Sequence, residues 1–203
     1  MNRWLRSRAA KPVFFLLCLL PFAWMPYQAF FGDLGANPVE TLTHHTGEWA
    51  LRLLLLTLAL TPLKKLTGNG QWIRFRRMAG LFVYFYALLH FAIWFLADHA
   101  LDIASMFEDV VNRPYITVGF SAFVLLTPLA LTSNRYSIRR LGARWATLHK
   151  LVYPILLLAL LHFAWLVKAD YSQPLVYAAI GGGLLLLRVK WRAGSPGLKR
   201  QLF

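Results

Sequence analysis

The sequence predicts an all-α integral membrane protein, a bundle of six transmembrane helices with both termini in the cytoplasm. Of its 203 residues, 58% are hydrophobic and 15% are charged, whereas about 25% of residues are charged in an average soluble domain. Six apolar stretches are each long enough to cross a hydrocarbon core about 30 Å thick. The basic residues gather on one side of these stretches. We expect a single transmembrane domain covering residues 1–203.

The apolar stretches predict the helices in chain order. Each should be helical, because unpaired backbone groups in lipid are too costly. We expect the first to be a membrane helix and not a cleaved signal peptide, since it contains Pro21 and Pro26 and no small-residue cleavage site follows it. The second and sixth are short enough to be tilted or partly interfacial. The expected spans are 13–31, 50–66, 78–97, 115–132, 148–167 and 174–189.

Charge sets the expected orientation. Of the 22 basic residues, 19 fall on one side, and all eight acidic residues fall on or near the other. The positive-inside rule places the basic side in the cytoplasm. The excess of +14 thus indicates topology and contact with lipid headgroups, and we expect no nucleic acid partner. The basic residues are Arg3, Arg6, Arg8, Lys11, Lys64, Lys65, Arg74, Arg76, Arg77, Arg135, Arg139, Arg140, Arg144, Lys150, Arg188, Lys190, Arg192, Lys199 and Arg200.

Two histidines lie in identical apolar hexapeptides. The letters ALLHFA occur at 87–92 and again at 159–164, which places His90 and His162 72 residues apart. His90 follows Arg77 by 13 residues, and His162 follows Lys150 by 12. At 1.5 Å per residue, both imidazoles should lie about 18–20 Å from the basic edge. The third and fifth spans therefore present a histidine at equal depth.

A depth-matched pair of imidazoles favours a shared ligand. A neutral imidazole offers a lone pair to a metal, and haem iron accepts such ligands axially. The alternative is that each histidine only hydrogen-bonds a neighbouring helix. Because ionisable residues inside membranes are mostly functional, we favour haem iron held by His90 and His162.

His149 and an arginine pair are the other candidates at the cytoplasmic side. His149 precedes His162 by 13 residues, about 20 Å along a helix, so it could serve a second haem. The two side chains would, however, point about 220° apart, unless Pro154 kinks and rewinds the helix between them. Arg76 and Arg77 could pair with haem propionates, a flavin phosphate or lipid phosphate, or could simply mark the topology.

The other polar residues carry less chemistry. His44, His45 and His99 are expected at the outer interface, where His45 could also line a small-molecule site or be a spare ligand. The single Cys18 excludes an internal disulfide and a cysteine metal cluster. The sequence contains no dinucleotide fingerprint, P-loop or zinc-protease motif. Electrons would therefore have to come from a quinol, a bound flavin or another protein.

Several motifs resemble the MsrQ (formerly YedZ) family, within the ferric-reductase-like transmembrane group that also includes the NADPH oxidases. The resemblance covers nearly the whole chain. The motifs are HHTGEWAL (44–51), TPL (61–63), RRMAGL (76–81), LLHF (88–91), RPYITVG (113–119), LGARWATLHKLVYP (141–154) and QPLVYA (173–178).

The resemblance implies a six-helix inner-membrane cytochrome b. It would pass electrons from the quinone pool to MsrP, a periplasmic molybdenum enzyme that reduces methionine sulfoxide in oxidised proteins. Flavin mononucleotide is associated with the family as well. By position, His90 and His162 match its haem-ligating histidines, His149 matches a further histidine, and Arg76 and Arg77 match an arginine pair serving flavin or a cytoplasmic donor. The implied cofactors are one haem b or two, with FMN.

Other functions remain open from the sequence alone. The protein could instead be a transmembrane electron-transfer protein that reduces external ferric iron directly. A proton-coupled small carrier would use the membrane histidines as relays and would be colourless. A structural assembly factor would tolerate alanine at both histidines. For the leading hypothesis, the acidic outer loops are expected to dock a partner with a basic patch, an interaction that salt would weaken. These acids are Asp98, Asp102, Glu108 and Asp109.

Overall fold

The computed structural model describes residues 2–167 and 169–193, and every regular element in these ranges is helical. The predicted all-α class is thereby confirmed. A π-helical segment at Trp94–Asp98 extends α4, and 3₁₀ segments lie at Gly70–Phe75 and His149–Leu151. Lys199 and Arg200, which entered the topology prediction, lie outside the described residues. The α-helices are α1 (Asn2–Arg6), α2 (Ala10–Phe31), α3 (Pro38–Thr67), α4 (Arg76–Ile93), α5 (Ile103–Asn112), α6 (Pro114–Leu131), α7 (Arg135–Leu141), α8 (Ala143–Leu148), α9 (Val152–Leu166) and α10 (Ser172–Ala193).

Four of the six predicted spans coincide with helical segments that are long and apolar enough to cross a membrane. The second and sixth predicted spans form α3 and α10, which are helical but fall outside this set. In α3 the leucine run is interrupted by Arg52 and followed by Lys64 and Lys65, and in α10 basic residues follow from Arg188. The six-span topology therefore stays a prediction. The four segments are Ala10–Phe31, Gly70–Asp98, Pro114–Leu131 and Ala143–Leu166.

The chain divides into two compact units, Met1–Arg113 and Pro114–Phe203. The boundary has a local cause. Arg113 is extended, with φ −114° and ψ 99°, as the residue before a proline prefers. Pro114 then begins α6, where its missing N–H costs nothing. The single domain predicted for residues 1–203 stays a prediction.

In the first unit, α3 and α4 pack side by side and run in opposite directions. The Asn37 side chain caps α3 by accepting a hydrogen bond from the Glu40 N–H at 3.2 Å. Gly68 ends the helix in the left-handed conformation, with φ 65°, which glycine adopts without steric cost. The short stretch of 68–75 then reverses the chain. As a result, the end of α4 lies beside the beginning of α3.

A buried tyrosine joins α2 to α4. The Tyr86 side chain is 0% exposed, and its hydroxyl donates to the Cys18 carbonyl at 2.8 Å. The same hydroxyl accepts from the Phe22 N–H at 3.0 Å. Cys18 and Phe22 would pair with each other in a regular helix, so Tyr86 contacts both groups of one backbone pair. The contact lies beside Pro21, a residue that disturbs helical hydrogen bonding.

In the second unit, α6 packs against α9, and α10 contacts α9 as well. Leu156 of α9 is 0% exposed and Ile155 is 2% exposed, so this helix supplies the buried centre of the unit. Near the other end of the helix, the Tyr115 backbone at the start of α6 lies beside His162, close to the end of α9. The α6–α9 pair is thus antiparallel, like the α3–α4 pair.

Candidate functional site

His90 is held against α3 through one ring nitrogen. Its Nδ1 lies 2.8 Å from the Thr43 carbonyl oxygen. A carbonyl can only accept, so Nδ1 carries the proton and donates it. In the neutral imidazole the lone pair is then on Nε2. The side chain is partly buried, at the end of α4 next to the π-helical segment. This is the tautomer and fixed ring orientation that second-shell contacts give to metal-ligating histidines.

His162 is held against α6 in the same way. Its Nδ1 donates to the Tyr115 carbonyl at 2.7 Å, which again leaves the lone pair of the neutral ring on Nε2. The Tyr115 ring stacks alongside, with centroids 6.4 Å apart and planes 30° from parallel. Both histidines therefore hydrogen-bond a neighbouring helix, as the alternative interpretation expects. Because that bond uses Nδ1, it does not involve Nε2, the nitrogen through which such a ring would bind a metal.

The two sites repeat one another residue by residue. Thr43 and Tyr115 are 72 residues apart, as are His90 and His162. A third position follows the same offset, because a glycine stands one turn after each carbonyl, at Gly47 and Gly119. Sequence reasoning found the histidines and missed these glycines. The shared offset of 72 was the signal that could have found them.

His149 occupies the 3₁₀ segment between α8 and α9. Its ring stacks on Trp145, with centroids 3.9 Å apart, and its Nδ1 lies 3.1 Å from the Trp145 carbonyl. Its Nε2 lies 3.4 Å from the Ser133 hydroxyl. Three residues of 3₁₀ helix add about 60° to the helical phase, which changes the expected 220° separation from His162 to about 280°. The two side chains are then about 80° apart around the axis.

Arg76 and Arg77 lie in the first turn of α4, with Arg77 exposed and Arg76 partly buried. The Arg76 N–H bonds the Ile73 carbonyl of the preceding 3₁₀ segment, so the attraction for an anion here comes from the two guanidinium groups. The first turn of α4 contains no acidic residue. The position fits a phosphate or propionate group, and it fits lipid phosphate equally well.

His45 and His99 contact other parts of the first unit. His45 Nε2 lies 3.3 Å from the Pro21 carbonyl. His99 is partly buried, with Nδ1 2.8 Å from the Ser105 hydroxyl and Nε2 3.5 Å from the Asp109 carboxylate. Arg113 binds the same carboxylate at 3.1 Å. The His45 contact joins α3 to α2, and the His99 contacts join the end of α4 to α5.

Among residues 2–167 and 169–193, no three His, Cys, Asp or Glu side chains form a group that could hold a metal ion. Haem iron needs fewer protein ligands, because the porphyrin supplies the others. His90 and His162, one in each compact unit, are candidates for such ligands by residue type.

Comparison with known proteins agrees with this chemistry. The family described as "Ferric reductase like transmembrane component" matches residues 46–160, a range that includes both glycines, His90 and His149. The chain is 51% identical to the "Protein-methionine-sulfoxide reductase heme-binding subunit MsrQ" of Polaromonas naphthalenivorans, aligning 98% of its length with 92% of the relative. Proteins of the same name from Herminiimonas arsenicoxydans (49% identity, 89% of this chain, 84% of the relative) and Bordetella pertussis (50%, 91% and 89%) are similarly close.

The matched range and the helical architecture define a membrane protein of the ferric-reductase-like transmembrane class. Its relatives are about half identical and match over nearly their whole length. The chain belongs to the MsrQ family, and the resemblance noted in the sequence is confirmed.

Proposed function

We propose that this chain is the haem b electron-transfer subunit of a methionine-sulfoxide reductase system in the bacterial inner membrane, in which His90 and His162 would hold the haem iron. The family supports the reaction, since the relatives are named as heme-binding subunits of such a reductase. The observation that carries the ligand assignment is the matched pair of Nδ1–carbonyl bonds, at 2.8 and 2.7 Å.

Those bonds give each imidazole two properties that an axial ligand needs. Donation from Nδ1 fixes which nitrogen bears the lone pair, and it raises the basicity of that nitrogen. Because the acceptors are helix carbonyls of Thr43 and Tyr115, the ring orientation is set by packing of the helices. Bound haem would supply one-electron redox chemistry through its iron. The residues of the chain hold and orient the ligand rings.

For the direction of transfer, we propose that electrons enter from the quinone pool or a flavin donor and leave to MsrP in the periplasm. The charge distribution supports cytoplasmic termini and an acidic outer face. At the inner edge, Arg76 and Arg77 would bind an anionic group, such as the phosphate of FMN or of lipid. A second haem, if present, would use His149, which the 3₁₀ segment brings closer in phase to His162.

The four acidic residues predicted to dock a partner at the outer face differ in their contacts within this chain. Asp102 caps α5 by accepting from the Ala104 N–H at 2.9 Å, and Asp109 pairs with Arg113. Asp98 and Glu108 are exposed. We therefore propose that these two carry most of the salt-sensitive attraction for a basic patch on MsrP.

The decisive experiment is a reduced-minus-oxidised absorption spectrum of the detergent-purified protein, with a pyridine haemochrome assay for haem type and content. His90→Ala and His162→Ala are expected to lose haem, since each removes an axial nitrogen. His149→Ala is expected to lose only part of it. His44→Ala is the matched control, because it removes an exposed imidazole of α3 and should retain all haem.

Colourless wild-type protein would defeat the proposal and favour the proton-coupled carrier. Full haem content in both His90→Ala and His162→Ala would defeat the ligand assignment. Direct ferric reduction is the nearest alternative, and reconstituted protein separates the two. Rapid reduction of external ferric iron in the absence of MsrP would support the alternative.

A further inference from the structure

A glycine stands where each candidate ligand ring meets its neighbouring helix. In the first unit, a Cβ built on Gly47 would lie 3.0 Å from His90 Nδ1 and 3.1 Å from Cε1. In the second, a Cβ on Gly119 would lie 2.6 Å from His162 Nδ1, 2.8 Å from Cε1 and 3.0 Å from Cγ. Contacts under about 3.4 Å are too close for carbon atoms at rest. Both rings therefore occupy space that any other residue would take with its side chain.

The carbonyl bonds explain why the approach has to be this close. In an α-helix, the carbonyl of residue i points towards the N–H of residue i+4. The Thr43 carbonyl thus points at Gly47, and the Tyr115 carbonyl points at Gly119. A ring nitrogen that bonds such a carbonyl must pass over the Cα one turn later. Only a residue without a Cβ leaves room for it there.

Helix stability does not account for these glycines. Gly47 lies inside α3 and Gly119 inside α6, where glycine is less favourable than alanine because it loses more backbone entropy. Gly80 of α4 shows the ordinary case in the same unit. A Cβ added there would meet nothing nearer than Thr57 Cγ2 at 3.9 Å.

We propose that Gly47 and Gly119 are positioning residues, which let each histidine reach its helix carbonyl and thereby set the orientation and donor strength of the ligand imidazole. The inference rests on the proposed function, because it concerns the imidazoles as haem ligands. It adds to that function a steric requirement on α3 and α6, at positions that do not themselves contact iron.

The distances rank the two sites. To restore a contact of about 3.5 Å, the ring would retreat by about 0.9 Å at His162 and about 0.5 Å at His90. The hydrogen bonds of 2.7 and 2.8 Å would lengthen to about 3.6 and about 3.3 Å at most, if each ring moved directly away from its carbonyl; a good N–H···O bond extends to about 3.2 Å. Gly119→Ala should therefore disturb its hydrogen bond more than Gly47→Ala does.

The experiment compares Gly47→Ala and Gly119→Ala with Gly80→Ala and with Gly182→Ala, whose Cβ would meet nothing within 4 Å. Loss of a second-shell partner typically weakens metal binding roughly 10- to 100-fold, so we expect haem retention during dilution to fall in that range for Gly119→Ala. The fall should be smaller for Gly47→Ala and absent in both controls.

Spectroscopy separates positioning from mere structural damage. The low-spin EPR g values of a ferric haem with two imidazole ligands depend on the orientation of the ring planes, and they should shift in Gly47→Ala. Its midpoint potential should move to more positive values, because a ring that no longer donates fully from Nδ1 is a weaker ligand for ferric iron. Helical circular dichroism should stay as in the wild type, since alanine favours helix.

Each outcome decides a different point. Wild-type protein without haem would overturn the proposed function, whereas haem-loaded variants with unchanged retention, g values and potential would overturn only this inference. If Gly119→Ala fails to fold, Gly47→Ala decides the question. A folded Gly47→Ala protein with the wild-type spectrum and potential would then reject the positioning role.

Discussion

Removing one oxygen from Tyr86 tests how α2 is fixed to the helix that carries His90. Tyr86 and His90 are four residues apart on α4, so they lie on neighbouring parts of one helix face. The Tyr86→Phe variant keeps the ring and its edge-to-face contact with Phe85, whose centroid is 5.2 Å away. It loses both hydrogen bonds of the hydroxyl, one to Cys18 and one from Phe22.

The loss of stability depends on whether the Cys18 carbonyl and the Phe22 N–H find new hydrogen-bond partners in the variant. A typical hydrogen bond contributes about 0.5–1.5 kcal/mol net, and a buried group left unsatisfied costs about 1–3 kcal/mol. If the Cys18 carbonyl and the Phe22 N–H pair with each other, as in a regular helix, the loss stays near 1 kcal/mol. If Pro21 prevents that pairing, both groups stay unsatisfied. At about 1–3 kcal/mol for each group, we then expect a loss of about 2–6 kcal/mol in the free energy of unfolding.

The assay is equilibrium unfolding in mixed micelles of dodecyl maltoside and SDS, followed by far-ultraviolet circular dichroism. Tyr27→Phe is the matched control, because Tyr27 lies on α2 with 51% of its surface exposed and should change stability by less than about 0.5 kcal/mol. Equal stability of Tyr86→Phe and the wild type would refute the argument. It would mean that the hydroxyl contributes nothing to the attachment of α2.

Three further variants test the contacts around the candidate site. Asp102→Ala removes the N-cap of α5 and should destabilise that helix by about 1 kcal/mol. The α5 amides should then exchange their hydrogens faster than in the wild type. Asp102→Asn is the control, because asparagine also caps helices and should leave the exchange unchanged. Ser133→Ala removes the hydroxyl 3.4 Å from His149 Nε2 and should alter only the part of the haem spectrum that His149→Ala removes. Arg76→Gln with Arg77→Gln should slow reduction by flavin donors while haem content stays unchanged, and an unaltered rate would argue against a donor site at α4.

The sequence was sufficient for those features that depend on composition and period. The four most apolar stretches form the expected helices, and the paired histidines stand on the third and fifth predicted spans as expected. The interrupted stretches were harder to judge. α3 has nine buried residues along its 30, so its charges and threonines reflect packing inside a unit. Hydropathy scores the residue type and does not register what a helix packs against.

The carbonyl and glycine partners of the histidines could not be derived from local pattern. In both units the carbonyl lies 47 residues before its histidine and the glycine lies 43 residues before it. Only the packing of antiparallel helices turns such separations into contacts. The 3₁₀ turn at His149–Leu151 was likewise anticipated only in outline, since Pro154 indicated rewinding without giving its place. Backbone geometry of this kind depends on tertiary contacts around the turn.

The repeated hexapeptide around His90 and His162 belongs to a larger repeat that also includes a backbone acceptor and a glycine. Ala, Leu and Phe recur in many membrane helices, but a backbone acceptor, a glycine one turn later and a histidine 47 residues after the acceptor recur together here. Each unit therefore contains everything needed to fix the tautomer of its own imidazole. Preparation of one ligand does not require the other, so loss of His162 should leave the His90–Thr43 hydrogen bond intact. Imidazole ¹⁵N shifts of His90 in the His162→Ala variant measure this directly, and a change of tautomer there would show that the two ligands are prepared jointly.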